Sequence, residues 1–159
     1  MASSNKNLSS YSQVNLKDVS EKKFGIVMSE WNSSVTESLL EGVLQTLLSR
    51  GAQKENIVTV QVPGSFELSL GAQRMAKKET IDVVICLGCV IQGETRHFEF
   101  ICHAVTNGLT EVSLKYNKPV VFGVLTTDTY QQALDRAGGK HGNKGDEAAI
   151  TAIKMLFNQ

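Results

Sequence analysis

The stretch VVICLGCVIQGETRH, residues 83–97, decides the fold. It begins with a run of apolar residues, and Val83 to Leu87 is predicted to be a buried β-strand. Residues 88–97 collect glycines and polar side chains and are predicted to be a loop. A helix is predicted over residues 97–116. A buried strand, a polar loop and a helix in this order are typical of one unit of an α/β sheet.

The same unit occurs on both sides of this stretch. Residues 24–28, 57–62 and 120–125 are predicted to be three further strands. Further helices are predicted over residues 35–48 with Gly51 as a C-cap, after Phe66, and over residues 129–138 and 145–157. Strands that are apolar throughout, alternating with helices, predict a four-stranded parallel sheet covered on both faces, which is a doubly wound α/β sandwich.

The chain has 159 residues, the size of one ordinary domain. Residues 1–21 are rich in Ser, Asn and Lys, and they are predicted to be an N-terminal arm. Residues 22–159 are predicted to be a single domain, since no repeat or linker interrupts them.

The charge balance excludes some classes of function. The chain has 16 Lys and Arg against 16 Asp and Glu, and both signs divide evenly along it. It therefore lacks the long-range positive field that binding to nucleic acids or anionic membranes needs. The longest apolar run, residues 83–91, is shorter than the ~20 residues that span a bilayer. A cytoplasmic protein is expected, because residues 1–10 lack the apolar stretch of a secretory signal.

Polar and aromatic residues follow each predicted strand, where ligands bind in such sheets. Trp31 follows the first strand and could stack on a flat heterocycle or simply cover the core. His97 stands where a helix should begin, and an imidazole there suits proton transfer at neutral pH. A solvated histidine in a capping turn is the alternative.

Two other patterns suggest different chemistry. Cys86, Cys89 and Cys102 resemble a zinc or thiol-redox pattern, but residues 86 and 89 of an extended strand point to opposite faces. Buried, reduced thiols are the favoured interpretation. The glycines between residues 139 and 145 resemble a dinucleotide loop, yet they lack a preceding strand and are predicted to be a connection between two helices.

Five segments together resemble the 6,7-dimethyl-8-ribityllumazine synthase family. They are Val62-Pro-Gly-Ser-Phe-Glu67, Val90-Ile-Gln-Gly-Glu-Thr-Arg-His-Phe-Glu99, Phe122-Gly-Val-Leu-Thr-Thr-Asp128, Gln132-Ala-Leu-Asp-Arg-Ala-Gly138 and Gly142-Asn-Lys-Gly145. They stand in the family's order, and the resemblance covers residues 22–157. It implies a flavodoxin-like three-layer sandwich and one reaction. In that reaction 5-amino-6-(D-ribitylamino)uracil condenses with 3,4-dihydroxy-2-butanone 4-phosphate, without a metal or an organic cofactor.

The resemblance also implies roles for individual residues. His97 is expected to be the catalytic acid and base, and phosphate is expected at Glu94, Thr95 and Arg136. The uracil and its ribityl chain are expected at Trp31, Asn32, Ser65, Phe66, Glu67, Cys89, Val90, Ile91, Phe122 and Lys144. Gln92 departs from the family pattern, because many members have Arg or Lys there.

An oligomer is implied as well. In the family each site lies between adjacent subunits of a pentamer, and Phe122, Arg136 and Lys144 match residues that come from the neighbour. The turn at residues 137–144 has no insertion, which favours a 60-subunit icosahedral shell. Tyr11 to Leu16 are expected to add a strand to a neighbouring sheet, and association with riboflavin synthase is a further expectation.

Two alternatives remain open from the sequence. One is a flavin-binding or storage module on the same fold without catalysis, since fold does not fix function. The other is a redox or zinc protein built on the three cysteines.

Overall fold

A computed structural model describes residues 17–158. The strands of its main sheet are β1 (Phe24–Ser29), β2 (Ile57–Val62), β3 (Val83–Ile91) and β4 (Val120–Thr127). The helices are α1 (Ser33–Ser49), α2 (Leu68–Ala76), α3 (His97–Tyr116), α4 (Tyr130–Leu134) and α5 (Lys144–Leu156). A small hairpin pairs β5 (Ala137–Gly139) with β6 (Gly142–Asn143).

The main sheet has the order β2-β1-β3-β4, and all its neighbouring strands are parallel. Helices α1 and α5 cover one face, and α2 and α3 cover the other. The predicted four-stranded parallel sheet between two helical layers is confirmed. Among the described residues, no helix is both long and apolar enough to cross a membrane.

Strand β3 divides its side chains between two cores. Ile85, Leu87 and Cys89 face the α1 and α5 side, whereas Val84 and Cys86 face the α2 and α3 side. This alternation is the period of two that an extended strand imposes. The prediction that Cys86 and Cys89 point to opposite faces is therefore confirmed.

Three details of the predicted elements were wrong. Strand β3 continues four residues past Leu87 to Ile91, because residues 88–91 pair with β4. The helix predicted over residues 129–138 ends at Leu134, since Gly138 and Gly142 take positive φ angles of 104° and 76° that suit the hairpin. Strand β2 is not apolar throughout, because it is an edge strand whose Thr59 and Gln61 are exposed.

Helices α1 and α5 approach each other closely at two glycines. A Cβ on Gly145 would overlap the backbone oxygen of Leu39, and a Cβ on Gly42 would lie 2.6 Å from Cγ of Asn143. The Asn143 side chain caps α5 by accepting the Gly145 N–H at 2.8 Å, and it donates to the Ser38 oxygen at 2.7 Å. This packing fixes the start of α5.

Part of the predicted arm is described. Val19 is buried in the core beside α1, and its N–H donates to the Arg50 oxygen at 3.1 Å. The proposed strand from Tyr11 to Leu16 lies outside the described residues.

Candidate active site

A cavity of about 690 Å³ opens at the carboxyl ends of β1, β2 and β3. We call it the strand-end cavity. Nine of the residues expected at the site line it: Trp31, Asn32, Ser65, Phe66, Glu67, Cys89, Val90, Ile91 and His97. Ligand sites of doubly wound sheets lie at this end of the strands.

The loop after β1 holds Trp31 out into the cavity. Glu30 and Trp31 extend the strand pairing, since their N–H groups donate to the oxygens of Val62 and Pro63 at 2.9 and 3.2 Å. Asn32 then turns the chain in a left-handed conformation with φ 59°, and its Nδ2 donates to the Cys89 oxygen at 3.0 Å. The Trp31 side chain is 72% exposed, so its ring is available to a ligand.

The loop after β2 holds an unpaired hydroxyl, that of Ser65, which also lines the strand-end cavity. Glu67 accepts the Gly64 N–H at 3.0 Å through one carboxylate oxygen, which closes the loop as a capping turn. Ser65 lies within that turn, 6% exposed, and its Oγ has no hydrogen-bond partner among the described residues. A buried hydroxyl without a partner costs about 1–3 kcal/mol, so a bound ligand or water that pairs with it gains that energy.

His97 begins α3, as predicted, and its side chain is exposed at the cavity mouth. Its backbone N–H donates to Thr95 Oγ1 at 3.4 Å. Glu94 and Thr95 lie in the exposed turn just before the helix and do not line the cavity. The Gln92 side chain does not line the strand-end cavity either, and its Nε2 donates to the oxygen of the next residue, Gly93, at 2.7 Å.

The cysteines are poor nucleophiles and poor metal ligands. Burial raises the pKa of the Cys89 thiol to about 11 and also raises the pKa values of Cys86 and Cys102. Cys89 is therefore a neutral thiol at pH 7, whereas metals bind the thiolate. Cys102 is half-buried rather than buried, on α3. Between residues 17 and 158, no group of three or more His, Cys, Asp or Glu side chains is placed to hold a metal ion.

Three residues expected at the site lie elsewhere. Phe122, Arg136 and Lys144 line a second cavity of about 810 Å³ between the outer strand β4 and α5. We call it the β4-edge cavity. No residue lines both cavities, so one chain holds the expected residues in two separate groups.

The β5–β6 hairpin brings the two cations of the β4-edge cavity together. The Lys144 N–H donates to the Arg136 oxygen at 2.8 Å, directly beside the pairing of Ala137 with Asn143. The Arg136 guanidinium donates through Nη1 to the Gln132 oxygen at 2.9 Å. Lys144 also forms an ion pair with Glu147. Phe122, 43% exposed, also lines this cavity.

Ile101 and Glu147 are among the lining residues that sequence reasoning missed. Ile101 lies one helical turn after His97 and contributes apolar surface to the strand-end cavity. Glu147 lies three residues after Lys144 on α5, a spacing at which opposite charges meet on a helix. That spacing was the available signal.

The two cavities suit different chemistry. The strand-end cavity combines aromatic rings, a buried hydroxyl, a carboxylate and an imidazole, which can hold a flat polar ring and move a proton. The β4-edge cavity has Arg136 and Lys144, which can attract an anion such as phosphate.

Known proteins of similar sequence share one description. The family model for 6,7-dimethyl-8-ribityllumazine synthase matches residues 21–159. A 6,7-dimethyl-8-ribityllumazine synthase of Cytophaga hutchinsonii is 65% identical over 156 residues, with 98% of each chain covered. One of Parabacteroides distasonis is 55% identical over the same shares. One of Flavobacterium psychrophilum is 50% identical, covering 99% of this chain and 83% of that protein.

Proposed function

The chain belongs to the 6,7-dimethyl-8-ribityllumazine synthase family, and from that membership we propose how its residues perform the reaction. It is a transferase that condenses 5-amino-6-(D-ribitylamino)uracil with 3,4-dihydroxy-2-butanone 4-phosphate. The products are 6,7-dimethyl-8-ribityllumazine, inorganic phosphate and water, in the penultimate step of riboflavin biosynthesis.

The uracil occupies the strand-end cavity. Trp31 and Phe66 flank its ring, while Asn32 shapes the loop that holds Trp31. The Ser65 hydroxyl and the free oxygen of Glu67 pair with polar groups of the ring and the ribityl chain. The backbone of Cys89, Val90 and Ile91 pairs with the edge of the pyrimidine. This assignment is supported by the gathering of these residues around one cavity beside a buried, unpaired hydroxyl.

His97 moves the protons of the reaction. The substrate amine attacks the ketone and water leaves, so an imine forms. A proton is then removed from carbon as the bond to phosphate breaks, and the ribitylamino nitrogen closes the ring with loss of a second water. The imidazole accepts and returns these protons, since a ring nitrogen can bind a proton and release it again. The protein itself supplies no nucleophile.

The phosphate lies between Glu94 and Thr95 of one chain and Arg136 of another. Phe122 and Lys144 come from the same neighbour as Arg136. The observation that carries this proposal is the separation of the expected residues into two cavities of one chain. Each cavity lacks what the other has, and a neighbouring copy that places its β4-edge cavity against the strand-end cavity completes both.

Subunit mixing tests the shared site directly. At butanone phosphate concentrations well below the KM, His97→Ala chains should keep about a hundredth of the wild-type rate and Arg136→Ala chains about a tenth. Co-assembled in equal amounts, they place an intact His97 opposite an intact Arg136 at about a quarter of the interfaces of a random ring. Lumazine fluorescence should therefore recover to about a quarter of the wild-type rate. Mixed assemblies no faster than the mean of the two variants alone would contradict the shared site, provided that wild-type chains recover their full rate after the same treatment.

The assembly is proposed to be a pentamer that builds a 60-subunit shell. The compact hairpin at residues 137–143 supports the shell, because it carries no insertion. Strand β2 has only β1 beside it among the described residues, and the exposed Val58 leaves its outer edge open to the strand proposed for residues 11–16. Residues 1–21 would then be an arm on a domain of residues 22–159.

Light scattering separates the assemblies. A shell has sixty times the subunit mass of 17.3 kDa, and a free pentamer has five times that mass. Co-purification from the cytoplasm with riboflavin synthase is the test of that proposed partner.

A further inference from the structure

The ion pair between Lys144 and Glu147 changes what the β4-edge cavity offers a ligand. Both side chains are largely buried, with exposed fractions of 21% and 16%. Arg136, Lys144 and Glu147 are the only charged side chains among the described residues that line this cavity. The cavity therefore has one net positive charge rather than two.

That net charge belongs to Arg136. Its guanidinium has a hydrogen bond to the neutral Gln132 oxygen, and no carboxylate of the described residues lies within ion-pair distance of it. Four of its five N–H groups are free for a ligand. Lys144 faces a carboxylate on its own helix, so its charge is already compensated.

We propose that Glu147 is a positioning residue that neutralises Lys144, so that Arg136 alone attracts phosphate and Lys144 donates hydrogen bonds to the uncharged uracil or ribityl oxygens. The proposal rests on the proposed function, since it divides the two substrates between two cations of that site. Glu147 itself touches no substrate. It holds the ammonium in place and prevents it from moving toward the phosphate.

Removing the charge of Glu147 should affect the two substrates in opposite directions. In assembled Glu147→Gln protein, inhibition by inorganic phosphate becomes about three- to tenfold tighter, since a neighbouring negative charge is gone. The KM for the uracil rises, because Lys144 is no longer held toward it. A merely structural loss would weaken both. Glu147→Asp keeps the charge and should leave phosphate inhibition unchanged.

A double variant separates charge from position. Lys144→Met with Glu147→Gln restores the single net charge of the cavity, so phosphate inhibition should return to the wild-type value. The KM for the uracil should stay high, because the donor is absent. Phosphate binding by calorimetry gives the same comparison without turnover.

The outcomes distinguish this inference from the proposed function. If Arg136→Ala leaves phosphate inhibition unchanged, the assignment of the phosphate site is wrong. If Arg136→Ala weakens phosphate inhibition while Glu147→Gln leaves it unchanged or weakens it, only the role of Glu147 is overturned.

Discussion

The strand-end cavity and the β4-edge cavity are built in different ways. The first is formed by loops whose hydrogen bonds cross between strands: the Asn32 side chain donates to the Cys89 oxygen, and the Trp31 N–H donates to the Pro63 oxygen. The second is formed by an uncovered sheet edge and by two cations that a hairpin and the start of α5 hold in place. The strand-end cavity has His97, the proposed proton-transfer group. The β4-edge cavity has Arg136, whose positive charge no carboxylate of the described residues compensates.

Under the proposed residue roles, this difference makes a single chain insufficient for the reaction. Phosphate loss needs a proton donor and a cation at the same atoms, because charge develops on the leaving oxygens. His97 lies with the first group of residues and Arg136 with the second. In the proposed function oligomerisation is therefore part of the chemistry, and substitutions in one cavity of the chain can be compared with substitutions in the other.

The largest expected effect comes from Gly145, which supports the β4-edge cavity. In Gly145→Ala the new methyl group would overlap the Leu39 oxygen, so α5 must shift away from α1. We expect the free energy of unfolding to fall by about 3 kcal/mol, since overpacking against backbone has little room to relax. Urea unfolding followed by circular dichroism measures it. Chains that still assemble should show a raised KM for the butanone phosphate.

Gly93→Ala is the matched control. A Cβ at Gly93 would meet no atom within 4 Å, and its φ is not positive. Its unfolding free energy should change by less than about 0.5 kcal/mol. Equal losses in the two variants would show that close packing of α5 is not what holds the second cavity.

The next largest effect should be on the catalytic rate, through His97 of the strand-end cavity. His97→Ala removes the proton-transfer group, and we expect kcat to fall about 10²-fold with the fold intact. Steady-state formation of lumazine fluorescence measures this change. His103→Ala is the control, since it removes another exposed imidazole of α3 that lines neither cavity. Equal rates for the two variants would show that His97 takes no part in the chemistry.

The sheet could be predicted from sequence because its signal is local. Val83 to Leu87 and Phe24 to Met28 are apolar runs of strand length, and each is followed by a helix, so their burial and direction were evident. The end of β3 was not, because Gly88 and Cys89 join the strand only through pairing with β4. The hairpin was missed for a similar reason, since Gly138 and Gly142 act through positive φ angles that helical spacing does not reveal.

The site was predicted mainly through the family resemblance. Position alone indicated Trp31 and His97, whose loops follow strands. No periodicity shows that Arg136 and Lys144 meet across a hairpin, or that both line a different cavity from His97. The ion pair between Lys144 and Glu147 follows from a local helical spacing. Its burial could not be predicted, because it depends on how α5 packs on β4.

A smaller effect should separate the two substrates. Arg136→Ala removes the uncompensated charge of the β4-edge cavity, so the KM for the butanone phosphate should rise about tenfold, as for loss of a charged hydrogen bond. The KM for the uracil should change little. Kinetics with each substrate varied in turn give both constants. Lys140→Ala is the control, because its ammonium is on the same hairpin but is exposed and paired with Asp135 at 3.0 Å. A rise shared equally by both substrates would contradict the division of the site.

The smallest expected effect reports on the strand-end cavity alone. Trp31 is the only tryptophan of the chain, so its fluorescence describes one place in the molecule. Riboflavin has a flat ring like that of the product and should stack on the exposed Trp31 ring, which quenches its emission. Inorganic phosphate, expected between Glu94, Thr95 and the neighbour's Arg136, has no ring that could stack on Trp31 and should leave the emission unchanged. N-acetyltryptophanamide at equal absorbance corrects for light absorbed by the flavin. In Gly145→Ala the quenching should persist, because the loop that holds Trp31 bonds to Pro63 and Cys89 and not to α5. The absence of quenching by riboflavin at high concentration would show that Trp31 does not stack on the ring. Quenching by phosphate would show that the Trp31 emission does not report ring stacking alone.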